Sequence, residues 1–394
     1  MPKILRIINR LNIGGPTYNV AYLSKFINQT YETNVLAGIR EPYEGSSEYV
    51  LKDLGVGYEF VPDMHRQINF RNDISAYRAI SEKIRQYKPD IVHTHAAKAG
   101  ALGRLAAYRS SQRPKILHTY HGNVFDGYFS PLKTKVFLGV ERYLCSVSDA
   151  IIAISEMQKK DLAEKYKIAP ADKIHVIKLG FDLEKFRFNR EDKRKQFREF
   201  YGIDEQTVVI SITGRLTSVK NHLLLIQSIK NLKDNYPHLK VKFFFVGDGE
   251  LMADIVTSLK EQGISICLPG DDNYKATVIL TSWRKDIDVI NAGSDIIALT
   301  SLNEGTPVSI IEALASGRSV ICTNVGGIGD VVQDNVNGIL SSLDAKEFTE
   351  KLYNLITSKT LRERLAHKGE EAIFQNYSYK RLVNDMEMLY ASLL

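Results

Sequence analysis

The chain alternates short runs of aliphatic and β-branched residues with longer amphipathic stretches. The apolar runs predict strands at 3–8, 33–38, 90–95, 115–120, 150–155, 173–179, 207–214, 240–247, 277–282, 295–301 and 319–324. Between them, apolar residues recur at helical spacing, as in 73–87, 221–236 and 307–317. Apolar strands that alternate with helices are typical of parallel sheets covered on both faces. The sequence therefore predicts an α/β protein built from doubly wound, Rossmann-like sheets.

A highly charged stretch at 189–203 interrupts this alternation, and the strand–helix pattern starts again after it. We therefore predict two Rossmann-like domains of similar size, 1–185 and 186–376, followed by a C-terminal segment at 377–394. A length of 394 residues is enough for two or three domains with full hydrophobic cores.

Composition narrows the class of protein. With 44% hydrophobic and 25% charged residues, the chain is neither disordered, nor collagen-like, nor a disulfide scaffold. No apolar run approaches the roughly 18–20 residues that span a bilayer, and the first residues lack the features of a secretory signal. Three widely spaced cysteines argue against disulfides and thiolate metal sites. We expect a cytoplasmic protein.

Positive charge is concentrated in the first half of the chain. Residues 1–190 contain 29 Lys and Arg against 19 Asp and Glu, whereas residues 191–394 contain 23 against 27. The excess indicates either an anionic partner of the first half (a lipid phosphate, a bilayer surface or nucleic acid) or simply a solvated surface. Charge alone does not choose between the two.

Two cations and two carboxylates follow predicted strands of the second half, where ligands bind in open α/β sheets. Gly214-Arg215 and Lys220 place two cations on one strand-to-helix turn, which suits a diphosphate; the alternative is a pair of surface cations. Glu304 precedes a predicted helix and Glu312 lies on its apolar stretch, where a ribose diol would be a suitable partner. The alternative is a capping Glu304 and a solvent-facing Glu312.

Glycines and histidines follow strands of the first half. Gly14 and Gly15 would let the backbone approach an anion, although such turns often contain glycine for other reasons. No G-x-G-x-x-G with a following acidic residue is present, which disfavours a dinucleotide cofactor. His121 is the histidine best placed to hydrogen-bond a ligand, while His93 and His118 are predicted to be structural.

Two further patterns favour structural roles. Asp286-Ile287-Asp288 falls in a predicted helix, where the two carboxylates point apart, so we do not predict a metal site there. The stretch 128–144 mixes aromatic, aliphatic and basic residues at helical spacing. It could lie on a membrane surface, but a helix packed in the core is the favoured interpretation.

The loops taken together resemble glycosyltransferase family 4, the retaining nucleotide-sugar glycosyltransferases with the GT-B fold. The resemblance covers nearly the whole chain and rests on DIVHTH, TYHG, AIIAIS, the G-R-x4-K loop, FVGDGE, SWRKDI, EGTPVSIIEALASG and TNVGGIGDVV. It implies two Rossmann-like domains facing a central cleft, with the helix at 377–394 crossing back onto the first domain. The usual G-V-D near the hinge reads Gly180-Phe181-Asp182 here, and 264–283 is longer than the pattern leads us to expect.

The resemblance also implies roles for individual residues. Arg215 and Lys220 would bind the diphosphate, with Gly14, Gly15 and Gly214 near the phosphates. Glu312 would bind the ribose, and Trp283 would lie near the base. The transferred sugar would contact Glu304, His121 and the backbone of Gly305, Thr306, Pro307 and Val308. No divalent metal and no other cofactor is expected.

The implied reaction moves a hexose or N-acetylhexosamine from a UDP-sugar to a glycan or lipid-linked acceptor in bacterial surface polysaccharide synthesis. We expect an anionic acceptor, possible peripheral contact with the inner membrane face, and no nucleic acid partner. A nucleotide-sugar epimerase or hydrolase of the same fold stays open, as does a non-catalytic sugar-nucleotide-binding subunit. The sequence leaves the sugar, the linkage and the oligomeric state undetermined.

Overall fold

The computed structural model describes residues 1–12, 15–41, 45–65, 67–122 and 131–394, with side chains from 134 onward in the last range. The chain separates into two compact units. The first contains Met1–Phe181 together with Tyr377–Leu394, and the second contains Asp182–Asn376. The division between them falls four residues before the one predicted from the sequence.

The described part of the first unit contains a parallel sheet in the order β3-β2-β1-β4-β5-β6-β7. Its strands are β1 Lys3–Ile8, β2 Glu32–Ala37, β3 Glu59–Phe60, β4 Ile91–His95, β5 Lys115–Thr119, β6 Ala150–Ala153 and β7 Ile174–Val176. Its helices are α1 Gly15–Phe26, α2 Glu48–Asp53, α3 Phe70–Tyr87, α4 Ala97–Tyr108, α5 Pro131–Ser146, α6 Glu156–Lys160 and, from the end of the chain, α15 Tyr379–Leu393.

Both faces of the first sheet are buried, as the apolar strands require. Alternate residues of a strand point to opposite faces. Ile4 packs on one face with α1 and α15, and Ile7 packs on the other with α3 and α4. Tyr390 of α15 is fully buried, so the C-terminal helix is part of this unit's core.

The second unit contains a parallel sheet in the order β10-β11-β9-β8-β12-β13-β14. Its strands are β8 Val208–Thr213, β9 Val241–Val246, β10 Ile266–Cys267, β11 Val278–Ser282, β12 Ile296–Leu299, β13 Ser319–Thr323 and β14 Ile339–Ser341. Its helices are α7 Glu184–Arg187, α8 Arg190–Tyr201, α9 His222–Asn235, α10 Met252–Glu261, α11 Ile287–Gly293, α12 Val308–Ala315, α13 Ala345–Thr357 and α14 Lys359–Tyr377, which ends as the chain returns to the first unit.

The core of the second unit also lies on both faces of its sheet. Phe243 and Phe245 pack on one face with α9, α10 and α13, whereas Phe244 packs on the other with Phe197 of α8. Strand β8 is central, so the loop after it lies at the middle of the sheet's carboxyl edge. That position is where open α/β sheets bind their ligands.

The predicted fold class is confirmed, and each predicted strand is present within a few residues of its expected bounds. Sequence reading missed β3, β10 and β14, because strands of two or three residues are too short for a periodic signal. Asp286 immediately precedes α11 and pairs with Arg284, while Asp288 pairs with Lys193. The two carboxylates therefore point to different partners, as expected.

Candidate functional site

The backbone at the carboxyl edge of the second sheet is closely packed around Gly214 and Gly247. The N–H of Gly214 donates to the carbonyl of Val246 at 2.9 Å, and that of Gly247 donates to the carbonyl of Ser282 at 3.0 Å. A Cβ on Gly247, whose φ is +142°, would lie 2.0 Å from the Gly214 carbonyl oxygen. Glycine is therefore required where the β8 and β9 loops cross.

Arg215 projects from this crossing towards solvent. Its side chain is 67% exposed, and its guanidinium lies 3.2 Å from the carboxylate of Glu250. The backbone beneath it is fixed, because the Leu216 N–H donates to the Asp248 carbonyl at 3.0 Å. An exposed ion pair of this kind contributes little to stability, so the guanidinium is available to an anion.

Lys220 and Glu304 come from different strand-end loops and meet at the same edge. Lys220 Nζ lies 2.6 Å from Glu304 Oε1, and the Ser301 hydroxyl donates to the same oxygen at 2.6 Å. The Thr300 hydroxyl donates to the Lys220 carbonyl at 2.9 Å, which joins the two loops again through the backbone. Lys220 Cε lies 3.4 Å from the position of a Cβ on Gly214, so its side chain passes directly over that glycine.

The segment from Gly305 to Val308 leads into α12. Gly305 is exposed, Thr306 is partly exposed and Pro307 is buried immediately before the helix. A Cβ on Gly327 would lie 2.0 Å from the Gly305 carbonyl oxygen, so the loop after β13 is packed closely against this segment. The N–H groups of Val308 and its neighbour precede the first internal bonds of the helix, and such groups favour an anion.

Glu312 lies on α12 in a desolvated position. Burial raises its pKa to about 7, with a nearby Lys185 opposing the shift and Asp288 adding to it. Among the described residues, no hydrogen bond or ion pair engages the Glu312 carboxylate. A partly desolvated carboxylate of this kind is stabilised by external hydroxyl donors.

Trp283 follows β11 at the same edge of the sheet. Its ring is 63% exposed. The residues on either side of it are engaged internally: the Ser282 hydroxyl donates to Asp248 at 2.7 Å, and Arg284 binds Asp286 through two of its nitrogens. Trp283, the residue predicted to lie near the base, therefore presents a large exposed surface, whereas its neighbours Ser282 and Arg284 are only partly exposed.

In the first unit, the loop after β1 holds the predicted glycine pair. Gly14 lies outside the described residues. Gly15 begins α1, and a Cβ there would make an ordinary 3.5 Å contact with Leu179. The carbonyl of Asn12 accepts hydrogen bonds from the hydroxyls of Thr17 and Ser47 at 3.1 and 2.8 Å, which fixes the start of the loop.

His121 follows β5, is partly exposed, and lies at the end of a row that continues with the buried imidazoles of His95 and His93. Its Nε2 lies 2.9 Å from Nδ1 of His95, whose ring centroid is 4.2 Å from that of His93. His93 in turn hydrogen-bonds Tyr390 and Thr119 at 2.7 and 2.8 Å. Burial lowers the pKa of His121 to about 3, so this ring is neutral. Its Nδ1 has no hydrogen-bond partner among the described residues.

Neither His93 nor His118 is placed to bind a ligand. His118 is buried, and its Nδ1 lies 2.8 Å from the Thr94 hydroxyl. Within the described residues, no group of three or more His, Cys, Asp or Glu side chains is arranged to hold a metal ion. No helix of the described chain is both long enough and apolar enough to cross a membrane.

The structure thus brings Gly214, Arg215, Lys220, Glu304 and the start of α12 together at one edge of the second sheet. Sequence reasoning missed Glu250, the carboxylate that pairs with Arg215. It also missed the packing of Gly327 against the Gly305 segment. Both residues lie in motifs that carried the resemblance, but neither spacing nor residue type indicated these contacts.

Two family models match the chain. The model described as Glycosyltransferase Family 4 matches residues 13–185, and the model described as Glycosyl transferases group 1 matches residues 207–358. Together they cover most of the first unit and most of the second.

Curated relatives agree with these matches. An Escherichia coli UDP-Gal:alpha-D-GlcNAc-diphosphoundecaprenol alpha-1,3-galactosyltransferase is 29% identical over 370 residues, covering 93% of this chain and 90% of the relative. The putative glycosyltransferase EpsD of Bacillus subtilis is 27% identical over 327 residues, covering 81% of each.

Solved structures show the same fold. Anabaena HepE in complex with UDP superposes with a TM-score of 0.82 at 18% identity, covering 99% of this chain and all of that one. A glycosyltransferase from Rickettsia africae gives 0.79 at 22% identity, covering 99% of this chain and 98% of that one. With both family models and these relatives in agreement, the chain is similar to the glycosyltransferases of family 4 over most of its length, and it has the GT-B fold.

Proposed function

We propose that this glycosyltransferase moves a hexose or N-acetylhexosamine from a nucleoside-diphosphate sugar, with UDP as the favoured carrier, to a glycan or lipid-linked acceptor. The reaction retains the anomeric configuration and needs no divalent metal. The observation that carries the proposal is the contact between Lys220 and Glu304, which joins a cationic loop and a carboxylate loop at one sheet edge.

The cations of the second unit suit the donor diphosphate. Arg215 offers a planar fork of N–H donors on an exposed side chain, and Lys220 offers a compact charge above Gly214. A leaving diphosphate gains negative charge as its bond to the sugar breaks, and cations fixed in advance stabilise that charge. The first N–H groups of α12 add further donors nearby.

The nucleoside is proposed to bind beside α12. Glu312 would accept hydrogen bonds from the two ribose hydroxyls, which would satisfy a carboxylate that has no hydrogen-bond or ion-pair partner among the described residues. The exposed ring of Trp283 would stack against the base. UDP is favoured because the similar galactosyltransferase of E. coli is named for UDP-Gal and the similar HepE structure contains UDP.

The proposed chemical step breaks the bond between the anomeric carbon and the β-phosphate oxygen, and the electron pair leaves with the phosphate. The acceptor hydroxyl attacks the same face, and its proton passes to the departing phosphate oxygen. Glu304 holds the transferred sugar, and Gly14, Gly15 and His121 are assigned to the donor on the family resemblance alone. Neutral His121 can donate or accept one hydrogen bond through Nδ1.

The acceptor is proposed to be lipid-linked and anionic, used in surface polysaccharide synthesis at the cytoplasmic membrane face. Two observations support this assignment. Positive charge is concentrated in the first half of the chain. The E. coli relative is named for a diphosphoundecaprenol acceptor.

Thermal unfolding in the presence of UDP, GDP or ADP tests donor binding, with Arg215→Ala and Glu312→Ala as the altered proteins. A ligand at one hundred times its dissociation constant adds about 2.7 kcal/mol of stability. We expect UDP to stabilise the wild type most and both variants less. Equal stabilisation of all three proteins would contradict the proposed site.

Transfer itself is tested with UDP-hexoses and UDP-N-acetylhexosamines, a prenyl-diphosphate-linked sugar and chelator present throughout. We expect a product with the anomeric configuration of the donor. An inverted product would overturn the retaining step, and loss of activity with chelator would overturn metal independence. UDP release that does not need an acceptor would indicate a hydrolase instead.

A further inference from the structure

Helix α5 carries an apolar stripe on its outer surface. Val136, Val140 and Tyr143 are 63%, 45% and 51% exposed. Their spacing of four and then three residues places them on one side of the helix. The sequence favoured core packing for this stretch, and the inner side of the helix does pack in the core, with Leu144 and Cys145 buried. Residues 128–130 of that stretch lie outside the described residues.

A buried ion pair fixes which side of α5 faces outward. The Glu141 carboxylate lies 2.8 Å from an Arg104 nitrogen of α4, with both side chains almost fully buried. The Tyr120 hydroxyl donates to the same Glu141 oxygen at 2.5 Å. Rotating the helix to bury its apolar stripe would break the contacts of Glu141 with Arg104 and Tyr120, and a buried charge without its partner is strongly destabilising. The stripe is therefore held in solvent by the fold.

The outer side of α5 carries positive charge only. Glu141 is the single acidic residue of the helix, and its charge is matched internally by Arg104. Lys135 and Arg142 are exposed, and among the described residues no carboxylate pairs with either. The Arg142 side chain is held at the surface by its bond to the Tyr166 carbonyl at 2.7 Å.

Apolar residues flanked by cations match the interfacial region of an anionic bilayer. The apolar groups enter the headgroup boundary while the cations meet lipid phosphates. A symmetric dimer through the same side would bring the cations of two copies together, which is repulsive.

We propose that the outer side of α5, formed by Lys135, Val136, Val140, Arg142 and Tyr143, docks the protein on an anionic lipid bilayer. This docking surface rests on the proposed function, because a lipid-linked acceptor is presented in that bilayer. The three apolar residues and two cations give weak, reversible and salt-sensitive binding rather than permanent insertion.

Co-sedimentation with vesicles of phosphatidylcholine, with or without phosphatidylglycerol, tests the proposal. The altered protein is Val136→Ser/Val140→Ser/Tyr143→Ser. The matched control is Val336→Ser/Leu343→Ser, which removes exposed apolar residues from the second unit. We expect the wild type and the control to bind the anionic vesicles at low salt, and the triple variant to bind about tenfold or more weakly.

Several results would overturn the docking surface. These are no wild-type binding to anionic vesicles at low salt, equal binding by the triple variant, or a wild-type dimer that the triple variant abolishes. Thermal stabilisation by UDP, measured on the same proteins, tests the donor site independently of vesicle binding. Vesicle binding without UDP stabilisation would contradict the proposed function alone, whereas UDP stabilisation without vesicle binding would contradict the docking surface alone.

Discussion

Glu312 makes both stability and nucleotide binding depend on pH. Its pKa in the folded protein is about 7, above the ordinary value of 4.5. The folded state therefore binds this proton more tightly than the unfolded state. The resulting contribution to stability is full below about pH 4.5 and is lost as pH rises to about 7. At 1.36 kcal/mol per pKa unit, the loss amounts to about 3 kcal/mol.

Glu312→Gln removes this titration and keeps the shape of the side chain. We expect urea unfolding to show that the free energy of unfolding of the wild type, relative to the variant, falls by about 3 kcal/mol across that range. Above about pH 7, the difference in unfolding free energy between the wild type and the variant should stay constant. A difference that stays constant between about pH 4 and pH 8 would refute the raised pKa.

Nucleotide binding should change in the opposite direction. Two donating ribose hydroxyls bind best to the ionised carboxylate, which offers both of its oxygens as acceptors, and the ionised fraction near pH 6 is about tenfold smaller than near pH 8. Calorimetric titration with UDP should show the ratio of wild-type to variant affinity rising about tenfold over this interval. Because the UDP phosphates titrate alike in both experiments, the ratio isolates Glu312. A constant ratio would show that Glu312 does not bind the ribose.

Three further substitutions test separate contacts. Glu304→Gln removes the carboxylate that pairs with Lys220 and so competes with the diphosphate for this cation. UDP affinity measured by calorimetry should therefore rise about fivefold, while the rate of sugar transfer falls. Unchanged affinity would show that the ion pair does not compete with the diphosphate. Glu141→Gln leaves buried Arg104 without its counter-charge and should cost about 3–5 kcal/mol of unfolding free energy, and a loss below about 1 kcal/mol would contradict its assigned burial. Gly247→Ala places a Cβ against a carbonyl oxygen and should lower the melting temperature by several degrees; a neutral result would show that the loop crossing is loose.

The sequence predicted the fold more completely than the site. Strands such as β6 and β12 are continuous apolar runs, because both of their faces are buried, and that pattern is visible locally. Strands β3, β10 and β14 have two or three residues and leave no such pattern. They pair at or near sheet edges, where neighbouring strands rather than local propensity determine their conformation.

The candidate site shows the same limit at the level of side chains. Arg215, Lys220, Glu304 and Glu312 could be named from residue type and position after a strand. Their ion-pair partners and protonation could not be predicted in this way, because an ion pair such as Lys220–Glu304 joins residues 84 apart in the chain. The raised pKa of Glu312 likewise depends on burial, which spacing along the sequence does not report.

By itself, the sequence determined the two Rossmann-like sheets, the loops that follow their strands and the resemblance to the glycosyltransferases of family 4, since all of these follow from local apolar patterns and short motifs. Only the tertiary structure decided which charges meet, which are desolvated and which side of α5 remains in solvent. Glu141 illustrates the difference: in the sequence it is one more charged residue of an amphipathic helix. In the fold it is buried against Arg104, and that contact holds the apolar and basic side of the helix outward. Charge pairing, desolvation and the orientation of a helix depend on contacts between residues distant in the sequence, and these contacts form only when the chain folds.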